Sequence, residues 1–589
     1  MNRRDLTRFL IFAAIMAAIP FLPFVPDFWI TLLDFVGLAS LVALGLVMLT
    51  GVGGMTSFGQ AAFVGFGAYA TALLTTAYGW SPWLTLPVSL AVTVAAALVI
   101  GLGTVRLSGH YLPLGTIAWG ICFYYLFGNL KTLGAYDGIS SVPPLSVLGT
   151  PLLDSRSFYF VVWGFVLAAI LATANLLDSR VGRSIRALRS GAAAAESVGV
   201  NVWRAKLTVF VYAALLAGLS GWLYAHFQRA VTPGVFSLTV GIEYLLMAVL
   251  GGAGYIYGAI LGAGIVVVLK NFLQDLLPLF FGAGGNYEGI VFGILLVAML
   301  QGAREGLWPV IAGRLGKTAP RAVDATGALP GRGFETGDGA LLRVKDARRL
   351  FGGLVAVDTV SFEVGRGEIV GLIGPNGAGK STTFNLVTGV LALSGGEIHF
   401  EGERIDGLGP ERIAARRIAR TFQHVKLAPT MSVLENVAIG AHLRGRAGMV
   451  SGIIRLDREE ERKIFGEAAR QIERVGLADI MHQPAGALAL GQQRLAEIAR
   501  ALCLDPKLLL LDEPAAGLRH LEKQALADLI RRLRDEGMSV LLVEHDMDFV
   551  MQLTDHIVVL NFGARIATGA PADIQRDPAV IEAYLGSPT

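Results

Sequence analysis

At 589 residues the chain exceeds what one hydrophobic core can organise, so it should hold at least two domains. A mean hydropathy of +0.58 with only 16% charged residues excludes a wholly soluble protein and places part of the chain in lipid. A net charge of +3 is too small to argue for a nucleic-acid partner. Cys122 and Cys503 stand one in each half and form neither a disulfide framework nor a metal spacing, so both read as buried, inert thiols. The long apolar runs lie in residues 1–312, whereas 340–589 have ordinary soluble composition.

The N-terminus (Arg3, Arg4 and Arg8 before an apolar run) faintly resembles a twin-arginine signal, but no small-x-small cleavage site follows. An uncleaved first transmembrane helix is expected instead. Hydrophobic stretches of spanning length fall at about 8–25, 28–50, 57–79, 83–105, 111–129, 157–177, 206–227, 238–251, 257–278 and 286–303. With the N-terminus in the cytoplasm, ten crossings put Arg106 inside and the Lys/Arg-poor 130–156 segment outside. Arg180, Arg183, Arg186, Arg189, Arg204 and Lys206 then fall inside, as do Arg304, Arg314 and Lys317. Two glycine-rich breaks, Gly51–Gly54 and Gly251–Gly254, are either tight turns and close helix contacts or broken helices lining a path. Asp34, Glu243 and Glu288 lie within about two turns of a span end, where interfacial anchoring or capping is the expected role.

Between two spans, residues 178–206 carry an alanine-rich amphipathic stretch that ends at Gly199, a suitable C-cap. A soluble domain on the same side of the membrane favours reading it as a docking helix over a basic solvated loop. Residues 313–340, with Pro320, Pro330 and several glycines, lack hydrophobic periodicity and are expected to form a flexible linker. Such a linker spans on the order of 30 Å. The domains expected are thus 1–312, an all-α membrane domain of about ten helices, and 341–589, an α/β phosphate-loop domain.

In the second half, Gly374-Pro375-Asn376-Gly377-Ala378-Gly379-Lys380-Ser381 is an unbroken G-x-x-x-x-G-K-S loop. It follows the apolar strand Ile369–Ile373 and precedes a helix from Thr382, the context this motif requires. Its N–H groups can cradle phosphates at a helix N-terminus, Lys380 can reach the β and γ phosphates, and Ser381 can ligate Mg²⁺. Leu508–Leu511 leads into Asp512 and Glu513, a buried strand ending in two carboxylates. Asp512 can hold the Mg²⁺ shell and Glu513 can polarise an attacking water. Leu488-Ala489-Leu490-Gly491-Gln492 opens a helix that ends near Cys503, and the strand Ser539–Val543 delivers Glu544, His545 and Asp546 to its C-terminal end.

In this order the pieces strongly resemble an ABC-transporter ATPase. The resemblance assigns Gln423 to the Q-loop, where it senses the γ-phosphate and joins Ser381 and Asp512 at Mg²⁺. It assigns 488–492 to the signature loop, Ala515–Leu518 to the D-loop, His545 to the switch histidine and Phe351 to the ring that stacks on adenine. Gly352–Val357, Val543–Met547 and the tail Asp577–Gly586 resemble the LivG-type ATPase of branched-chain amino-acid importers. Ser57–Phe63, Gly67–Tyr69, Tyr136–Gly138 and Leu250–Gly254 resemble the LivM-type permease. The resemblance implies ATP-driven uptake across a bacterial inner membrane, with the N-terminus and the ATPase cytoplasmic. It implies a second permease, a second ATPase and a periplasmic substrate-binding protein as partners. Branched-chain or other hydrophobic amino acids are the expected substrates; amides, urea and small carboxylates are carried by similar systems. A homodimeric half-transporter exporter is the alternative, opposed by about ten spans of ordinary length.

The chain departs from the family at Ala489, where the signature loop has a serine whose hydroxyl contacts the γ-phosphate held by the opposite ATPase. A hydrogen bond to a charged group is worth about 1.5–3 kcal/mol. The composite site that uses Leu488–Gln492 is therefore expected to be the weaker of two. The pattern offers no account of Arg519 after the D-loop.

Overall fold

The computed structural model describes residues 3–107, 109–281, 288–302, 306–314, 321, 323, 327–334 and 339–585. The chain divides into two compact units. One comprises Met1–Ile185, Trp203–Ala319 and Gly452–Arg455, and the other Arg186–Val202, Pro320–Ser451 and Leu456–Thr589. The expected linker lies partly outside the described residues.

In chain order the helices of the first 314 residues are α1 (Arg3–Ala18), α2 (Asp27–Leu46), α3 (Gln60–Ala77), α4 (Pro82–Thr104), α5 (Tyr111–Asn129) and α6 (Ser155–Leu177). They continue as α7 (Arg180–Ala187), α8 (Ala192–Glu196), α9 (Val202–Gln228), α10 (Leu238–Gly251), α11 (Ile256–Phe281), α12 (Glu288–Gly302) and α13 (Trp308–Arg314). Each of the ten expected stretches overlaps one of them. Among the described residues six helices are long and apolar enough to cross a membrane: Asp27–Val52, Pro82–Thr104, Tyr111–Asn129, Ser155–Leu177, Val202–Gln228 and Ile256–Leu279. Two short antiparallel pairs also form, β1 (Ile139–Ser140) with β4 (Ala230–Val231) and β2 (Ser146–Val147) with β3 (Thr150–Pro151).

The centre of this unit is α2, buried from Val36 to Leu46 and continued by a π-helical turn over Val47–Val52. Its glycine break meets the second one directly: a Cβ at Gly51 would fall 0.9 Å from the Ala253 carbonyl oxygen. Only backbone fits at that crossing. The same logic joins α10 to α11, where a Cβ at Gly262 would fall 1.8 Å from the Met247 carbonyl oxygen.

Two sequence expectations change here. Asp34 neither caps nor anchors: it is 0% exposed on α2, and both carboxylate oxygens lack a hydrogen-bond partner. Two turns from the start of a helix packed against α6, α10 and α11 is already bundle interior. Glu243 is paired, receiving the Lys270 ammonium at 2.8 Å, while the Glu288 side chain lies outside the described residues. Cys122 is exposed on the surface of α5, contrary to its reading as a buried thiol; Cys503 is buried as expected, and burial pushes its thiol well up.

The ATPase half has two sheets. β5 (Ala340–Phe351), β6 (Leu354–Gly365), β8 (Gly395–Phe400) and β9 (Glu403–Arg404) form an antiparallel sheet in the order β6-β5-β8-β9. β7 (Ile369–Ile373), β10 (Ile418–Arg420), β11 (Leu508–Asp512), β12 (Ser539–Val543), β13 (His556–Asn561) and β14 (Ala564–Gly569) form the other, ordered β10-β11-β12-β7-β13-β14. It is parallel except for β14. β7, β11 and β12 are buried along their whole length, as apolar strands covered on both faces must be.

Arg186–Val202 packs within this second unit. α8 contacts the helix Pro410–Ala415. Gly199, at φ +83°, sits so close to Leu443 that a Cβ would fall 2.2 Å from its Cδ1. Arg186 donates to Glu435 at 2.9 Å, and Glu435 also closes the capping box with Ser432 that starts the helix Val433–Ile439.

Candidate functional site

The parallel strands deliver their C-terminal ends to one edge of the six-stranded sheet, the crevice where open α/β sheets bind ligands. β7 ends in the Gly374–Ser381 loop, β11 in Asp512 and Glu513, and β12 in Glu544 and His545; β10 leads to Gln423. The loop can turn here because Gly374 and Gly379 adopt φ +148° and +96°, and a Cβ on Gly374 would fall 2.1 Å from the Leu560 carbonyl oxygen. The helix Lys380–Val387 follows and aims its N-terminus at the crevice.

Lys380 is 6% exposed, and its ammonium donates to the carbonyls of Gly374 and Pro375 at 2.7 and 2.9 Å. Burial pulls its pKa down, while the nearby carboxylates of Glu513 and Asp512 hold it up. Glu513 takes φ +48°, an uncommon conformation for a side-chain-bearing residue. Its Oε1 lies 2.8 Å from His545 Nε2 and accepts from Gln423 Nε2 at 3.1 Å. Three residues far apart in the chain thus meet on one carboxylate oxygen, an arrangement able to hold a water and take its proton.

Asp512 is 5% exposed, and burial raises its pKa against the opposing charge of Arg420. Its Oδ1 is buried without a hydrogen-bond partner. An orphaned carboxylate oxygen beside a phosphate loop fits a divalent cation. No group of three or more His, Cys, Asp or Glu side chains among the described residues could hold a metal alone, so a cation there would also need nucleotide or water oxygens.

Phe351 is exposed, with the Arg349 guanidinium 4.7 Å above its ring. The signature segment is not drawn to the phosphate loop. Its described hydrogen bonds are local: Gln492 Oε1 accepts from Ala489 N–H at 3.1 Å, and Gln493 donates to the Leu488 carbonyl. Ala489, as N-cap, has no oxygen to return the bond, leaving half a capping box. Ala489→Ser is expected to add the missing cap and to raise ATP turnover of the assembled transporter several-fold, read by phosphate release. An unchanged rate removes the argument that Ala489 weakens one site.

Side chains to which the motif reading gave no role complete the site. Arg494 donates to the carbonyls of Glu513 (2.8 Å) and Gln423 (3.3 Å), tying two loops together. Glu497 accepts from the N–H groups of Phe422 and Lys426 and pairs with Arg500 at 2.9 Å. Thr421 Oγ1 accepts from Asp512 N–H, and Glu544 accepts from Ala515 N–H. The available signal was Arg494, Glu497 and Arg500 at three-residue spacing, a buried charged stripe on an otherwise apolar helix face. Arg519, unexplained by sequence, donates its N–H to Glu522 and so caps the helix His520–Asp535.

Comparison with known proteins matches the same halves. Residues 28–300 match the family described as branched-chain amino acid transport system / permease component. Residues 357–516 match the ABC transporter family, and 564–588 match the branched-chain amino acid ATP-binding cassette transporter family. The chain is 44% identical over 249 residues to the high-affinity branched-chain amino acid transport ATP-binding protein BraF of Pseudomonas aeruginosa, covering 42% of this chain and 98% of that protein. It is 43% identical over 249 residues to LivG of Escherichia coli K12, with the same coverage. To the probable LivG of Archaeoglobus fulgidus it is 38% identical over 247 residues, 42% of this chain and 96% of that one. With a permease half and an ATP-hydrolysing half each matched in one polypeptide, the chain belongs to the branched-chain amino-acid ABC transporter family as a fused permease and ATPase.

Proposed function

We propose that the chain is one covalently joined side of an importer for branched-chain or related hydrophobic amino acids across a bacterial inner membrane. The observation that carries this reading is the likeness of the ATPase half, along nearly its whole length, to branched-chain amino acid transport proteins. In this reading residues 1–312 are a ten-span permease, 313–340 a linker and 341–589 the ATPase, with the N-terminus and the ATPase cytoplasmic. A second permease, a second ATPase and a periplasmic binding protein complete the assembly.

ATP lies on Gly374–Thr382, its adenine against Phe351 and its γ-phosphate against the partner ATPase's signature loop. Ser381, Asp512 and Gln423 would hold Mg²⁺, which would supply charge neutralisation at the phosphates. Glu513 takes the proton of the attacking water, with His545 and Gln423 orienting it. Leu488–Gln492 serves the opposite site. Uptake of radiolabelled leucine into vesicles holding the assembled transporter tests the reading. ATP-dependent uptake that requires the binding protein is expected, and efflux without it would overturn the proposal.

Closure of the ATPases moves the permease through Arg186–Val202. The Arg186–Glu435 pair is part-buried, at 24% and 30% side-chain exposure, so it contributes about 1 kcal/mol. Arg186→Glu is expected to cut substrate-stimulated ATP turnover by roughly fivefold, because it also sets two carboxylates against each other. Adding Glu435→Arg should restore part of that loss, because it re-forms the ion pair but gives up the capping box with Ser432. If the double exchange is no better than the single one, the pair does not transmit.

A further inference from the structure

We propose that the N-terminus of α3, together with the side-chain amide of Gln60, binds the carboxylate group of the transported molecule. This deepens the import reading above and rests on it. α3 starts within the bundle, with Gly59 as N-cap and Gln60 as first helical residue. The chain before it, from Gly54 to Gly59, is irregular. Irregular backbone at membrane depth persists only where protein encloses it or where it lines a cavity. Here it is enclosed: Phe58 N–H donates to Thr116 Oγ1 at 3.1 Å, and a Cβ on Gly241 would fall 2.4 Å from the Phe58 carbonyl oxygen.

The helix end lacks the groups that usually satisfy it. Gly59 makes no side-chain cap, and neither Gln60 nor Ala61 has an acceptor for its N–H among the described residues. An independent observation points to a ligand. Gln60 is 1% exposed, and neither its amide nitrogen nor its amide oxygen has a hydrogen-bond partner. A buried amide left unpaired is costly, and an apolar isostere would avoid that cost. Side chains on a helix lean toward its N-terminus, so the Gln60 amide shares that end with the free N–H groups. Backbone donors on a positive helix end, plus one amide donor, suit the two oxygens of a carboxylate. Access requires parting the segment from α5 and α10. It meets them through glycines: Gly59 against the Thr116 carbonyl, and Gly241 against Phe58.

The test reconstitutes the full transporter with its binding protein and follows leucine uptake at saturating binding protein, per folded transporter. Gln60→Met keeps the volume and removes an unpaired amide, so its thermal midpoint should stay at or above that of the wild type. Its maximal uptake rate is nevertheless expected to fall at least about tenfold, the equivalent of one lost hydrogen bond to a charged group. Gln60→Glu, which sets one carboxylate against another, should fall at least as far. Uptake by Gln60→Met at the wild-type rate overturns this inference and leaves the import reading standing. Wild-type uptake of urea or acetamide in place of leucine overturns both.

Discussion

Glu513→Gln is expected to lower ATP hydrolysis by the assembled transporter about 10²- to 10⁴-fold, the range a general base contributes. Nucleotide affinity should stay close to wild type. Phosphate release and fluorescent-nucleotide titration on the same preparation measure the two. The substitution isolates proton acceptance from shape. A glutamine can hold the φ +48° backbone, keep the bond from its own N–H to the Val543 carbonyl at 2.9 Å, and leave the Arg494 contact to its carbonyl untouched. It can still present an oxygen to His545 and Gln423, which meet Glu513 at 2.8 and 3.1 Å. What it cannot do is take a proton. If Glu513 only positioned its neighbours, this variant would retain most of its turnover; a residual rate above about one-tenth would remove the base assignment. His545→Ala leaves the carboxylate in place, still held by Gln423 at 3.1 Å, so a smaller loss is expected than for Glu513→Gln.

The phosphate loop was legible because its constraints are local. Gly374, Gly377 and Gly379 adopt φ +148°, +82° and +96°, values open to glycine, and the strand before them is apolar throughout. β11 and β12 read clearly for the same reason, as buried apolar runs ending in acidic residues. What joins those ends was not legible. Arg494 serves Gln423 and Glu513 from positions 71 and 19 residues away, and a linear pattern does not say which carbonyls a guanidinium will reach. In the membrane half, hydropathy located the long apolar helices among the described residues but not their facing. Asp34 is two turns from a helix end in sequence and fully enclosed in space. The glycine breaks were visible as breaks; that Gly51 lies against Ala253 follows from packing between helices two hundred residues apart. The alanine-rich amphipathic stretch within 178–206 and its Gly199 end were legible, but the pairing of Arg186 with Glu435 was not.

Lys380→Met is expected to weaken ATP binding about 100-fold, since two hydrogen bonds to phosphate at about 1.5 kcal/mol each are lost together. The present geometry explains why the effect should be large. The Lys380 ammonium is held inside the loop by the Gly374 and Pro375 carbonyls, at the depth where phosphates are cradled. Two nearby carboxylates, Glu513 and Asp512, hold its pKa up against the pull of burial. Removing the ammonium lowers the attraction for a polyanion and takes away one positive charge between those carboxylates and the phosphates. Lys380→Arg tests whether charge is sufficient. A planar guanidinium carries the charge but not the compact point geometry that fits beneath a tight loop, so it should recover little of the affinity. The measurement is the rise in thermal midpoint on adding ATP and Mg²⁺, which follows RT ln(1 + [L]/Kd) for a ligand that binds only the folded state. At a nucleotide concentration 100 times the wild-type Kd, the wild type gains about 2.7 kcal/mol and Lys380→Met about 0.4 kcal/mol. An undiminished shift in Lys380→Met would place the phosphates somewhere other than this loop.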